Sequence, residues 1–169
     1  FIYSVGIPEI CDEGTAAKIL NAADRFGCTD LKLFVESTIV EKFLDASNAA
    51  DWLVTSDAHS CALLKEASMK VYDADPSTVM KSEGWSKVGE SLRLVTELLI
   101  FCKTPKFRSG SNTRELKYVG EVDKLDVTSL RVQLSEANLD VDGSREILVE
   151  RLKSHIHNDN TKTSNNNAA

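Results

Sequence analysis

The 169-residue chain lacks the marks of several protein classes. No apolar run approaches the ~20 residues needed to cross a bilayer, which argues against a membrane span, and no secretory signal pattern opens the sequence. Its four cysteines, Cys11, Cys28, Cys61 and Cys102, are widely spaced and form no C-x-x-C pair. They are therefore expected as buried, reduced thiols and not as a disulfide frame or metal site, a usage that fits the nucleus or cytoplasm. The three histidines, His59, His155 and His157, offer no metal set, and no cofactor is expected. There is no G-x-S-x-G, no H-E-x-x-H and no glycine loop to cradle a phosphate, so the chain reads as non-enzymatic. A net charge of −6 argues against a protein that coats nucleic acid along its whole surface.

What the chain does have is a repeat. Ala16, Ala17, Leu20, Asp24, Cys28, Leu31 and Lys32 recur as Ala49, Ala50, Leu53, Asp57, Cys61, Leu64 and Lys65, each pair 33 residues apart. A fixed offset of this kind marks a repeated supersecondary unit. Within each copy, Ala16, Ile19, Leu20 and Ala23, and then Ala49, Trp52, Leu53 and Ser56, follow the stripe of one helix face. Corners at Phe26-Gly27-Cys28-Thr29 and at Ala58-His59-Ser60-Cys61 lead to second stripes beginning at Leu31 and Leu64. Each copy is predicted to be a helical hairpin, and two such hairpins bury their stripes by stacking. The four leucines at positions 20, 31, 53 and 64 are expected in the core, with Lys32 and Lys65 on the surface and contributing little.

Asp12 or Thr15 is predicted to cap the first helix, Thr29 or Asp30 the second, and Asp45 or Ser47 the third. Asp75-Pro76 starts a short helix. From Trp85, the residues Val88, Leu92, Val95, Leu99 and Cys102 keep helical spacing to Lys103, and Pro105 forbids continuation. Residues 1–10 read as a helix end running into a loop. The expected class is all-α.

A period of 33 suits ankyrin repeats, but their T-P-L-H corner and turn glycines are absent. Phe1-Ile2-Tyr3, Ala22-Ala23-Asp24-Arg25-Phe26, Leu31-Lys32, Asn48-Ala49-Ala50, Asp57-Ala58-His59-Ser60-Cys61, Leu64-Lys65 and Glu83-Gly84-Trp85 together resemble the C-terminal half of a BTB/POZ domain. The part beyond about Phe43 is similar to the helical, BACK-like extension of MATH-BTB ubiquitin-ligase adaptors. On that resemblance Phe1 falls inside a domain, and the chain is expected to be a fragment whose BTB strands and first helices lie upstream. The resemblance implies homodimerisation of the full-length protein and binding to a cullin. The family's cullin contact lies partly at the corner that is here Phe26, Gly27 and Cys28. Phe26 has an alternative role as a core aromatic closing the hairpin.

From Lys103 to Gly120 five cations, Lys103, Lys106, Arg108, Arg114 and Lys117, face the single acid Glu115, and Ser109-Gly110-Ser111-Asn112 marks a polar linker. Beyond it, Val127, Leu130, Leu134 and Ala137 predict one helix, Asn138 a left-handed stop, and Leu148, Leu152 and Ile156 a second helix capped by Ser144. Leu125, Val127, Leu130, Leu134, Leu139, Gly143, Arg145, Leu148, Val149, Arg151 and Leu152 stand at the spacing of a SAP motif, which the hairpin resembles. Two positions depart from that motif: Asn138 replaces its usual glycine and Arg145 its usual lysine. The SAP resemblance implies DNA or RNA binding. Amides at a helix start donate to an anion, which makes Thr128 on one helix, and Gly143, Ser144 and Arg145 on the other, the candidate phosphate contacts, with Arg151 beyond them. Arg145 is expected to face solvent. The hairpin itself is acid-rich, so a protein-contact role is the alternative.

The predicted organisation is residues 1–43 as the end of the BTB/POZ domain, 44–103 as its extension, 104–123 as a basic linker, 124–157 as the SAP hairpin and 158–169 as a disordered tail. The function expected is a substrate adaptor of a cullin-RING ubiquitin ligase with a nucleic-acid-binding module, in nucleus or cytoplasm. Its alternative is a nuclear DNA-binding or scaffold protein that uses the BTB part only for self-association.

Overall fold

A computed structural model describes residues 10–103 and 119–166. The expected loop at residues 1–9 and most of the basic linker, residues 104–118, lie outside the described residues, as do 167–169. Among those described the architecture is all-α, without a strand.

Helix α1 (Glu13–Arg25) starts where Asp12 accepts the Thr15 amide at 2.8 Å, and its buried stripe is Ala16, Leu20 and Ala23. Helix α2 (Thr29–Lys42) follows after the corner with Cys28 at its N-cap, where Thr29 or Asp30 is expected, and α3 (Ala49–Ala58) and α4 (Ala62–Ala74) form the second hairpin. Neither Asp45 nor Ser47, the caps expected for α3, takes that place: the N-cap is Asn48, and Asp45 accepts the Ser47 and Asn48 amides in the turn before the helix. The two corners close alike. Cys28 N donates to Ala23 O at 2.8 Å, and Cys61 N donates to Ser56 O at 2.8 Å. Between donor and acceptor sits one left-handed residue, Gly27 (φ 65°) in the first copy and Ser60 (φ 54°) in the second. This backbone closure satisfies the orphan carbonyls of a helix end, and it repeats at the same 33-residue offset as the identities.

The short α5 (Pro76–Val79) is capped by Asp75, as the Asp-Pro pair predicts. The single helix expected from Trp85 to Lys103 is two, α6 (Trp85–Glu90) and α7 (Leu92–Lys103). Ser91 is extended between them, and its hydroxyl accepts the Leu94 amide at 3.4 Å. A serine hydroxyl competes with the helical ladder and turns a continuous apolar rhythm into a cap. Gly84 lies against the start of α3, where a Cβ would come within 2.8 Å of the Asp51 amide nitrogen, so only glycine permits this approach.

Ala16, Leu20, Val35, Ile39, Trp52 and Leu64 form one core cluster, and Ala50, Leu53, Met69, Val79, Val88 and Leu98 a second. Leu20, Leu53 and Leu64 are buried as expected, while Leu31 is half-buried. Tyr72 stacks on Trp85 with centroids 5.3 Å apart.

After a 3-10 turn (Val119–Lys124) come α8 (Val127–Glu136) and α9 (Arg145–Asn166). Asn138 takes the left-handed stop predicted for it (φ 54°), and Leu139 N closes on Leu134 O as the two corners do. The hairpin does not build its core alone. Ala62 of α4 is part of the cluster that holds Val122, Leu130, Leu134, Leu148 and Leu152, and Leu63 packs against it. Helix α9 also runs to Asn166, through residues 158–166 where the polar sequence predicts no structure. Each residue added to an existing helix gains a hydrogen bond without a new nucleation cost.

Candidate interaction site

The corner joining α1 to α2 is held rigid from beneath. Asp24, in the last turn of α1, accepts Lys32 Nζ at 2.8 Å on one carboxylate oxygen and lies 2.8 Å from His59 Nδ1 on the other. Burial pushes the Asp24 carboxyl up, but the Lys32 and His59 hydrogen bonds outweigh it and leave its pKa below the ordinary 3.8. The repeat-related Asp57 is held in the same way by Lys65 at 2.8 Å and by Arg93, and its pKa is also lowered. Each lysine reaches a second carboxylate further along the chain. Lys32 pairs with Asp142 at 3.1 Å, and Lys65 with Glu97. Both lysine pKa values are raised despite burial. The surface positions expected for Lys32 and Lys65 are therefore corrected: Lys32 is only 4% exposed, and both tie separate elements together. A lysine can lie along apolar surface as long as its ammonium finds partners.

On this support the corner residues point outward. Phe26 is 74% exposed, so the structure rejects its alternative role as a core aromatic. Gly27 and Cys28 are exposed beside it, and a Cβ at Gly27 would meet nothing within 4 Å. The expectation of buried thiols is thus corrected at Cys28, as it is at Cys11 and Cys102, which are also exposed, whereas Cys61 is 1% exposed. Cys61 packs in the core cluster with Leu20, Ile39 and Leu64, and Gly143 of the hairpin pairs with it in an isolated parallel bridge. Burial pushes the Cys61 thiol up to about 12, which keeps it protonated and unreactive.

The hairpin's candidate anion contacts are placed differently. Thr128 is exposed in the first turn of α8, but the amides flanking it are taken: Val127 N donates to Glu66 Oε2 at 2.9 Å and Ser129 N to Asp126 Oδ1 at 2.8 Å. Gly143 (φ 123°), Ser144 and Arg145 do come together at the start of α9. There burial pushes the Glu146 carboxyl up, but the Ser144 hydroxyl, its own backbone amide and the Lys65 and Arg145 charges together outweigh it and lower its pKa. Arg145 does not face solvent as expected. It is half-buried, and Nη2 donates to the carbonyls of Asp123 at 2.9 Å and Leu125 at 2.7 Å. Burial lowers its pKa. Arg151 donates to the carbonyls of Asp140 and Asp142. Both arginines brace the loops that flank them, since the guanidinium offers five N–H donors to backbone carbonyls.

Three residues that bind the hairpin to the stack escape a reading of the sequence. Glu36, fully buried in α2, accepts Leu64 N at 2.9 Å near the start of α4 and stands 2.8 Å from Arg131 Nη2 of α8. Glu66, buried in α4, accepts Val127 N at the start of α8 and Lys70 Nζ at 2.7 Å. A charged residue inside an apolar run, as in Leu33-Phe34-Val35-Glu36, is the signal that could have found Glu36. A cleft of about 430 Å³ opens between α4, α7 and the start of α9, lined by Ala62, Met69, Ile100 and Phe101 with Glu97 and Glu146 at its edge. Among the described residues no three His, Cys, Asp or Glu side chains converge as metal ligands do, and no helix is long and apolar enough to cross a membrane.

No protein-family model matches the chain. It is similar to mouse (Mus musculus) TD and POZ domain-containing proteins. It is 36% identical over 98 residues to TD and POZ domain-containing protein 4, covering 57% of this chain and 26% of that protein. For TD and POZ domain-containing protein 2 the identity is 33% over 91 residues, covering 54% and 25%. For TD and POZ domain-containing protein 1 it is 30% over 120 residues, covering 66% and 33%. The chain therefore spans a quarter to a third of the length of these curated relatives. The similarity supports a BTB/POZ-type region in this chain.

Proposed function

We propose that the chain is part of a protein-interaction adaptor, and that its exposed corner at Phe26, Gly27 and Cys28 seats the N-terminal region of a cullin in a cullin-RING ubiquitin ligase. The observation carrying this reading is Phe26, an aromatic ring 74% exposed on a corner that Asp24, Lys32 and His59 hold fixed. A rigid, protruding aromatic is the kind of residue that dominates binding energy at protein interfaces. Similarity to POZ domain-containing proteins supports an interaction role. The test is capture of a cullin N-terminal domain by the whole protein, wild type and Phe26→Ala. Wild type is expected to bind and Phe26→Ala to lose at least about tenfold in affinity with an unchanged melting temperature, since a single hot-spot truncation costs over about 1.4 kcal/mol. Equal binding by both proteins, or capture by neither, defeats the proposal.

Nucleic-acid binding by the hairpin is a second reading, with exposed Thr128 and the Gly143-Ser144-Arg145 turn in its favour. It needs Arg145 and Arg151 to exchange backbone carbonyls for phosphates, so binding would be weak and steeply salt-dependent. Fluorescence anisotropy with a short duplex at two salt concentrations tests it. Absence of salt-dependent binding at low ionic strength leaves the hairpin as a protein-contact layer. A nuclear or cytoplasmic location would accommodate either role.

A further inference from the structure

We draw no further inference here: the strongest candidate, the apolar outer face of α7 at Leu92, Leu99 and Ile100 with the cleft it borders beside the start of α9, is an unpartnered helix face, and nothing in the structure shows what covers it.

Discussion

The two corners of the repeat share one backbone and have opposite surroundings. Cys28 and Cys61 close their helices with the same 2.8 Å bond, and Asp24 and Asp57 take their lysines at the same 2.8 Å. Yet Phe26, Gly27 and Cys28 stand in solvent, while Cys61 of the second corner is buried against the first hairpin and paired with Gly143. The 33-residue period thus specifies the local fold and its ion pairs, and exposure is decided by whatever packs on each copy afterwards. A partner-binding role can belong to one corner without belonging to its twin.

The largest effect is expected where the cover is anchored. Glu36→Ala removes the acceptor for both Leu64 N and Arg131, leaving a buried cation uncompensated, and should cost about 3–5 kcal/mol in urea unfolding. A cost below about 1 kcal/mol would show that the second corner's cover is not held through Glu36. Next come the matched leucines. Leu20→Ala and Leu53→Ala should each cost about 2–5 kcal/mol, and a large inequality between them in thermal melts would break the equivalence of the two copies.

The lysines sharpen the contrast between copies. Lys32→Ala should cost about 2–3 kcal/mol and Lys65→Ala less, because Asp57 and Glu97 both keep Arg93. Equal costs would show that the link between Lys32 and Asp142 carries no energy. Acid supplies an independent check. The lowered pKa values of Asp24 and Asp57 mean that the unfolded chain binds protons first as pH falls. Their stabilisation is complete well above 3.8 and is lost as pH drops through the folded values below it. Unfolding free energy measured from pH 5 downward should therefore fall less steeply in Lys32→Met than in wild type.

The smallest effects concern the left-handed residues. Ser60→Gly should stabilise by about 0.5 kcal/mol, since a side chain is strained at φ 54°, and Gly27→Ala should destabilise by about 1 kcal/mol. Same-sign shifts in melting temperature would mean that the two closures are not alike.

Much of the fold is legible in the sequence because its signals are local. Leu20 and Leu53 carry the helix stripe, Asp12 and Asp75 their caps, and Asn138 its stop. The break at Ser91 is illegible to periodicity, which runs through it without a missed beat. The candidate site is legible in position and not in exposure: the corner at Phe26 can be found from the chain, but whether its ring points inward depends on neighbours distant in sequence. Arg145 shows the same limit. Its place at a helix start is readable, while its donation to Asp123 and Leu125, some twenty residues earlier, is not.

The two buried glutamates also carry an order in time. Glu36 on α2 closes the start of α4, and Glu66 on α4 closes the start of α8. Synthesis makes the chain from its N-terminus. Each carboxylate is therefore synthesised before the amide it accepts, at two successive layers of the stack.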